Sequence, residues 1–212
     1  MSAASAGATV PTVFIVDDDD AICDGLCNLL ESVGIDAERF GSAEAFLARS
    51  LEDRPGCLLL DARLPGMTGV EFQERLIQAG TRIPIIFMTA HGDVPMVRKV
   101  MKAGAVEFLT KPFEKEELLA AIHHAFAMDS ARRQERRELN AIQSRLDLLT
   151  PREREVMSLV TSGLLNKQIA AELNLSEITV KLHRRHLLDK MQAESLADLV
   201  KMAERIRTTR TW

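Results

Sequence analysis

The sequence predicts a fold of the α/β plus all-α class, with a parallel sheet in the first half of its 212 residues and a bundle of short helices in the second half. In the first half, continuous aliphatic runs are separated by helix-length segments, which is the pattern of strands buried on both faces of a parallel sheet. In the second half, apolar residues recur at helical spacing between Ser, Thr and Gly residues that favour helix ends. The two halves therefore predict two domains of different architecture.

Each predicted strand stops at a polar or charged residue. The four strands cover residues 13–16, 57–60, 83–88 and 106–110, and the residues at their ends are Asp17 and Asp18, Asp61, Thr89 and Lys111. The ligand site of an open parallel sheet lies just beyond the carboxyl ends of its strands. We therefore expect these side chains to converge on one small polar pocket.

Three acids, a hydroxyl and an amine at one site are suited to phosphoryl transfer. Neighbouring carboxylates repel one another unless a cation lies among them, and Mg²⁺ is the most suitable ion for such a set of oxygen ligands. Asp61 is then free to attack phosphorus and form an aspartyl-phosphate, while Lys111 and the Thr89 hydroxyl stabilise the phosphoryl oxygens. Each piece alone has a simpler interpretation, since an Asp pair after a strand is more often a turn or a helix cap.

Four segments resemble the signature motifs of two-component receiver domains. They are residues 14–19 (FIVDDD), 60–69 (LDARLPGMTG), 88–90 (MTA) and 109–113 (LTKPF). The resemblance covers residues 11–126 and implies a five-stranded, doubly wound (βα)5 domain that a sensor histidine kinase phosphorylates on Asp61. Residues 90–96 are similar to the FixJ-like subset of this family.

The same resemblance implies roles for the other residues of the pocket. The implied contacts of Mg²⁺ are Asp18 directly, Asp17, Asp61 and the backbone carbonyl of Arg63. Thr89 and Phe108 match the switch pair of the family. Phe108 stands where a tyrosine is often found, and this chain contains no tyrosine.

Charge is distributed unevenly along the chain. Residues 1–127 contain 11 Lys and Arg against 19 Asp and Glu, a net charge of −8, whereas residues 128–212 contain 16 against 12, a net charge of +4. An acidic half joined to a basic half indicates that the second half is the one that approaches nucleic acid.

The remaining composition predicts a cytoplasmic protein without a membrane segment. Residues 1–10 are small and polar, which predicts a disordered tail rather than a signal peptide. No apolar run approaches the roughly 20 residues that a membrane helix needs. Cys23, Cys27 and Cys57 are predicted to be buried free thiols in a reducing compartment.

Residues 127–147 predict a helical linker. The segment lacks Gly and Pro, mixes both charge signs, and places Leu139, Ile142 and Leu146 at helical spacing. Two interpretations remain open, a solvated helical connection and a coiled seam in a dimer.

Four helices are predicted for residues 148–208. Thr150 and Glu153 form a capping box around Pro151, and this helix stops at Gly163. The other three helices begin near Asn166, after the cap Ser176 and after the cap Ser195, and the last two run to about Met191 and Ile206. Two short helices joined by a tight turn, the second of them rich in cations, form the helix-turn-helix pattern.

This half resembles the LuxR-type DNA-binding domain in residues 149–156 (LTPREREV), 166–170 (NKQIA) and 179–183 (TVKLH). The resemblance implies a four-helix domain that binds double-stranded DNA. Lys181, Leu182 and Arg185 would contact base edges in the major groove. Asn166 and Lys167 would hold phosphates at a helix N-terminus.

Further residues of the DNA-binding half are candidates for contacts. Thr179 and Arg184 are expected on the exposed face of the third helix, whereas His183 fits either the exposed or the packed face. In this family the fourth helix pairs two domains on DNA, so Leu196 and Leu199 are expected to face a partner.

The two resemblances together identify the chain as similar to NarL/FixJ-family response regulators, near the group that contains FixJ and StyR. We expect a two-component transcription factor whose phosphorylated receiver domain dimerises and binds an inverted-repeat promoter site, with RNA polymerase as a further candidate partner. One alternative is a DNA-binding regulator that acts independently of phosphorylation. The other is a phosphatase with an aspartyl-phosphate intermediate. Such enzymes have the motif Asp-x-Asp at the nucleophile, whereas in this chain the residue two positions after Asp61 is Arg63. The chain is therefore expected to be a phospho-acceptor with at most slow autodephosphorylation, not an enzyme.

Overall fold

The computed structural model describes residues 10–49, 54–90 and 94–209, apart from the side chains of residues 94–96 and 209. The chain divides into two compact units at Arg132, inside the predicted linker. The predicted disordered tail lies outside the described residues except for Val10, and so do His91, Gly92 and Asp93 of the FixJ-like stretch.

The first unit is a parallel sheet with helices on both faces. In chain order its elements are β1 (Thr12–Val16), α1 (Asp20–Ser32), β2 (Asp36–Phe40), α2 (Ala43–Leu47), β3 (Gly56–Asp61), β4 (Arg63–Leu64), β5 (Met67–Thr68), α3 (Gly69–Gln78), β6 (Ile85–Thr89), α4 (Val94–Lys102), β7 (Glu107–Thr110) and α5 (Lys115–Asp147). The five-stranded sheet has the order β2-β1-β3-β6-β7, and every neighbouring pair is parallel. The predicted doubly wound fold is confirmed.

Strand β2 is the element that the apolar pattern does not reveal. It lies at the edge of the sheet and pairs only with β1. Its sequence, DAERF, contains exposed and half-buried residues and no fully buried one. An edge strand in contact with water has no need of a continuous aliphatic run, so the pattern alone predicted four strands.

Side chains of the central strands alternate between two core layers. Phe14 of β1 packs with Phe46 and Phe72, whose rings make edge-on contacts. The neighbouring Ile15 points to the opposite face, into the layer that contains Ile122 of α5. Burying a side chain of this size contributes about 1.5–3 kcal/mol to the stability of the fold, and this gain applies to the apolar residues on both faces of the sheet.

The second unit contains the end of α5 and four further helices. These are α6 (Pro151–Thr161), α7 (Asn166–Leu173), α8 (Glu177–Met191) and α9 (Leu196–Thr209). The predicted caps are confirmed, because the side-chain oxygens of Thr150, Ser176 and Ser195 accept hydrogen bonds from the backbone N–H groups of Glu153, Thr179 and Asp198. Asn174 ends α7 in the left-handed conformation, with φ of 54°, and makes the tight turn to α8.

The last part of α5 packs inside the second unit. Ile142 is only 5% exposed and belongs to a core cluster with Leu149 and Leu199. Glu138 forms an ion pair of 2.7 Å with Arg205 of α9, and Arg145 donates to the Met191 carbonyl at 3.4 Å. The predicted linker is therefore helical, but its apolar side chains pack against the second unit instead of facing solvent.

Three cysteines in the described residues are free, and Cys23 and Cys57 are buried. Burial raises the pKa of the Cys23 thiol to about 11 and holds the pKa of Cys57 even further above its ordinary value. Neither buried thiol is therefore ionised near neutral pH. None of the helices in the described residues is both long and apolar enough to cross a membrane.

Candidate functional site

The Lys111 ammonium joins two acids at the carboxyl ends of neighbouring strands. Its Nζ atom lies 2.6 Å from Asp17 Oδ2 and 2.8 Å from Asp61 Oδ1. Asp17 follows β1 and Asp61 ends β3, which are paired in the sheet, while Lys111 follows the edge strand β7. The structure therefore brings together the three charged residues that the ends of three strands supply.

The other carboxylate oxygen of Asp61 is held by the backbone. Asp61 Oδ2 accepts a hydrogen bond from Arg63 N at 2.6 Å. The chain then turns back through the small β4–β5 hairpin to Gly69, whose N–H donates to the Ala62 carbonyl. A Cβ atom at Gly69 would lie 2.7 Å from the Phe87 ring and 3.0 Å from the Asp61 carbonyl oxygen. Glycine at this position thus allows the hairpin to close against the strand that carries Asp61.

Charge balance in the pocket favours an ionised lysine. Burial acts to lower the pKa of Lys111, but the hydrogen bonds that it donates to Asp17 and Asp61, together with their negative charges, outweigh burial and leave the pKa raised. The ammonium therefore remains protonated between the two carboxylates and offsets their mutual repulsion.

Thr89 and Phe108, the predicted switch pair, lie on adjacent strands. Thr89 is the last residue of β6 and is 1% exposed, and its carbonyl accepts from Lys111 N at 2.7 Å. Phe108 pairs with Phe87 across β6 and β7 and is half-buried against the core layer of α3 and α4. Thr89 therefore lies at a strand end beside Lys111, whereas Phe108 lies two residues before the end of β7.

The three predicted acids are not equally placed. Asp18 is exposed, and its neighbour Asp19 caps α1 by accepting from the N–H groups of Ala21 and Ile22. Within the described part of the chain no three His, Cys, Asp or Glu side chains are gathered as a metal site. Asp17 and Asp61 nevertheless fit Mg²⁺, because this ion keeps several waters and needs only one or two carboxylates.

The exposed face of α8 carries the predicted base-contacting residues. Lys181, Leu182 and Arg185 are all exposed, and Leu182 is 51% accessible. The opposite face packs into the unit through Val180 and Leu187, while His183 is intermediate. One side of α8 is therefore cationic and free of internal packing, as a helix that enters a DNA groove requires.

Two of the predicted DNA contacts bind each other. Arg184 Nη1 donates to Asn166 Oδ1 at 2.5 Å and so links α8 to the first residue of α7. Thr179 contacts the cap of its own helix, with 2.8 Å between its hydroxyl oxygen and that of Ser176. Lys167 is exposed at the start of α7. Sequence reasoning assigned Arg184 and Asn166 to DNA and missed the hydrogen bond between them, which links the two helices.

Leu199 does not lie where it was expected. It is 1% exposed and packs in the core of the second unit, whereas Leu196 is 41% exposed. Leu199 is required to cover α6 and α5 of its own unit, so in this conformation only Leu196 is able to face a partner.

A buried acid on α5 was not found from the sequence. Asp129 is 1% exposed, and its Oδ2 atom accepts from Gly56 N at 3.1 Å, at the start of β3. Arg132 forms an ion pair with the other oxygen of Asp129. The available signal was its spacing, because Asp129 falls on the helical stripe of Leu118, Ile122 and Ala125, where an apolar residue is expected.

An α/β unit with an acidic pocket at its strand ends, followed by a helix-turn-helix unit, defines a signalling protein that acts on DNA. Residues 13–123 match the family described as the response regulator receiver domain, and residues 147–203 match the luxR family of bacterial regulatory proteins. The chain belongs to the NarL/FixJ family of two-component response regulators. Its receiver domain implies a sensor kinase as partner, and its LuxR-type domain implies DNA binding.

Known relatives resemble the chain over most of its length. Nodulation protein W of Bradyrhizobium diazoefficiens is 48% identical over 197 residues, which are 93% of this chain and 87% of that protein. The transcriptional regulatory protein FixJ of Rhizobium meliloti is 44% identical over 192 residues, covering 91% of this chain and 94% of that protein. The solved structure of the response regulator StyR, at 47% identity, superposes with a TM-score of 0.83 over 92% of this chain and 99% of that one.

Proposed function

We propose that a sensor histidine kinase transfers a phosphoryl group to Asp61 and that this modification controls DNA binding by the second unit. In this step the P–N bond of the kinase phosphohistidine breaks and a P–O bond to the Asp61 carboxylate forms. The observation that carries the proposal is the position of Asp61, at the end of β3 and in direct contact with Lys111. A carboxylate at a strand end that directly contacts a cation is suited to accept an anionic group, because the cation offsets the added negative charge.

The residues of the pocket divide the work of phosphoryl transfer. Lys111 neutralises charge that develops on the phosphoryl oxygens, and the Thr89 hydroxyl donates a hydrogen bond to one of them. Mg²⁺, when bound, supplies positive charge on the other side of the phosphoryl group. The residues that would hold it are Asp17, Asp18, Asp61 and the backbone carbonyl of Arg63.

The phosphoryl group then changes the surface near β7. Once Thr89 bonds the phosphoryl group, Phe108, now half-buried, turns inward and repacks the face formed by α4, β7 and α5. A local change of charge thereby shifts the balance between two surface conformations. The new surface pairs two receivers, and two DNA-binding units then bind an inverted repeat with the same symmetry.

The second unit reads DNA through α8. Lys181, Leu182 and Arg185 contact base edges, and Lys167 contacts a phosphate at the start of α7. Arg184 and Asn166 reach the DNA backbone from the pair that they form, and Thr179 lies beside them. Binding takes place in the cytoplasm, where both the kinase domain and the promoter are present, and bound protein is then placed to contact RNA polymerase.

Labelling by acetyl phosphate tests the central step. The wild-type protein with Mg²⁺ should gain the mass of one phosphoryl group, and Asp61→Asn should gain none. Asp36→Asn, which removes an exposed carboxylate at the start of β2, is the matched control and should be labelled at the wild-type rate. Labelling of Asp61→Asn at the wild-type rate would show that another residue is the acceptor.

Light scattering tests the response to phosphorylation. Beryllofluoride with Mg²⁺ mimics the aspartyl-phosphate, and it should double the molecular mass of the wild-type protein but not that of Asp61→Asn. An unchanged mass in a protein that acetyl phosphate labels would show that phosphorylation acts without pairing the receivers.

A further inference from the structure

The most exposed large apolar side chain among the described residues lies at the start of α8. Ile178 is the second residue of this helix and is 79% accessible. It does not belong to the core cluster that the described residues of the second unit form, whereas Val180, Leu187 and Met191 of the same helix do. Packing within the second unit therefore does not account for an isoleucine at this position.

Ile178 lies on the face of α8 that carries the proposed base contacts. Residues four and seven positions apart share one face of an α-helix, so Ile178, Leu182 and Arg185 form a line along it, with Lys181 beside them. All four residues are exposed, and the buried residues of the helix occupy its opposite side. Ile178 therefore extends the unpacked, cationic face by one turn towards the N-terminus of α8.

Two apolar side chains on this face distinguish it from an ordinary solvated surface. A single exposed apolar residue is common and needs no explanation. Ile178 and Leu182, however, are neighbours at a spacing of four, and the cations Lys181 and Arg185 flank them. An apolar strip of this kind gains free energy only when it covers another apolar surface.

The major groove of DNA offers one apolar group to such a strip. Thymine alone presents a methyl group there, at C5, whereas the distinguishing atoms of the other bases are hydrogen-bond donors and acceptors. An isoleucine side chain neither donates nor accepts a hydrogen bond, so it pairs with none of those atoms and with no phosphate. In helix-turn-helix proteins the N-terminal residues of the second helix contact base edges. The position and the chemistry of Ile178 thus agree on the same contact.

We propose that Ile178 packs against the C5-methyl group of a thymine and so makes the operator specific for thymine at the base pair that faces the start of α8. This inference rests on the proposed reading of DNA by α8 and adds a contact that neither the sequence motifs nor the cations indicate. Lys181 and Arg185 then pair with polar atoms of the bases, while Ile178 distinguishes thymine from cytosine through the methyl group.

Binding to DNA that lacks single methyl groups tests the proposal. An operator is first selected from random duplexes with the full-length protein, both with and without beryllofluoride and Mg²⁺. Each thymine of the operator is then replaced, one at a time, by deoxyuridine, which keeps the base pair and removes only the methyl group. At one thymine in each half-site the replacement should weaken binding roughly threefold to fivefold, the effect of losing one buried methyl-sized group. At that position 5-methylcytosine should in turn bind more tightly than cytosine.

Variants assign the methyl contact to Ile178. Ile178→Ala should bind the thymine operator more weakly than the wild type and should no longer distinguish it from the deoxyuridine operator. Ile178→Val keeps both Cγ carbons and should still distinguish the two. Leu148→Ala, at a residue outside α8 that is 66% exposed, is the matched control and should behave like the wild type. Because alanine is a good helix former, α8 should stay folded in Ile178→Ala, which circular dichroism checks.

Two results would overturn this inference alone. They are a selected operator in which no replacement by deoxyuridine weakens binding, and a loss on replacement that is as large for Ile178→Ala as for the wild type. Failure to select any operator would overturn the reading of DNA by α8 and this inference with it. An operator selected equally well with and without beryllofluoride would contradict control by phosphorylation and leave the thymine test valid.

Discussion

The Lys111 Nζ atom lies 2.8 Å from Asp61 Oδ1, so the cation is already in place at the proposed phospho-acceptor. The same atom also binds Asp17 at 2.6 Å, although β1, β3 and β7 contribute these residues from three separate parts of the chain. A cation that touches both acids offsets their mutual repulsion in the unmodified protein.

Removing the Lys111 side chain should leave slow phosphorylation of Asp61 possible but prevent dimerisation. We expect Lys111→Ala to accept phosphate from acetyl phosphate slowly, since Asp61 remains, but not to double its mass with beryllofluoride and Mg²⁺, because the lysine that would hold the modified group in the pocket is missing. Mass spectrometry and light scattering measure the two effects. Lys201→Ala, an exposed lysine of α9, is the control and should behave like the wild type in both. A Lys111→Ala protein that dimerises normally would contradict the switch role of Lys111.

Arg185 and Lys167 should differ in how they contribute to DNA binding. Arg185→Ala should lose about 1–3 kcal/mol on an operator selected from random sequences and little on random DNA, because it removes a base contact. Lys167→Ala should weaken binding to both and reduce the salt slope by about one. Binding titrations at several salt concentrations distinguish the two patterns. An equal loss on both DNAs for Arg185→Ala would make it a phosphate contact.

The second unit should lose stability at acid pH because Glu153 becomes protonated. Burial acts to raise the pKa of Glu153, but hydrogen bonds from Lys190 and Thr150 outweigh it and hold the pKa at about 2, below the ordinary 4.5. Because the folded state binds the proton less readily than the unfolded state, this stabilisation is complete above pH 4.5 and is lost as the pH falls towards 2. Calorimetry should therefore show a shallower acid dependence of unfolding for Glu153→Gln than for the wild type.

The control for this prediction is Glu155→Gln. Glu155 pairs with Arg152, but its side chain is 52% exposed, so its loss should leave the wild-type acid dependence nearly unchanged. Parallel curves for Glu153→Gln and the wild type would contradict the role given to the Lys190 and Thr150 contacts.

Docking of α5 in the second unit can be tested with two apolar residues. Ile142→Ala should cost the second unit about 2–5 kcal/mol in its free energy of unfolding, because it opens a cavity at a residue that is 5% exposed. Leu148→Ala, at a residue that is 66% exposed, should change this quantity by no more than about 0.5 kcal/mol. Urea unfolding measures both. Equal effects of the two changes would mean that this part of α5 is not packed in solution.

The sequence predicted the acidic pocket better than the surfaces around it. Asp61 and Lys111 were predictable because strand ends of a parallel sheet meet at one edge, whatever the details of packing. The hydrogen bond between Arg184 and Asn166 was not predictable from the sequence. Both residue types also contact phosphates, and only the distance between the two side chains in the structure shows that they pair. Leu199 shows the same limit, because an apolar residue on an amphipathic helix suits a core and a partner equally well. The polar strand β2 gave no apolar signal at all.

The contact between Asp129 and Gly56 changes where the protein can be divided. The receiver family model ends at residue 123, and the LuxR-type model starts at residue 147. A receiver fragment cut at residue 126 would lack Asp129 and leave the N–H of Gly56 without its acceptor, and a DNA-binding fragment that starts at residue 148 would lack Ile142 and Glu138. Fragments intended for crystallisation or for binding assays are therefore best separated near Arg132, so that each half keeps the part of the shared helix that completes its own core.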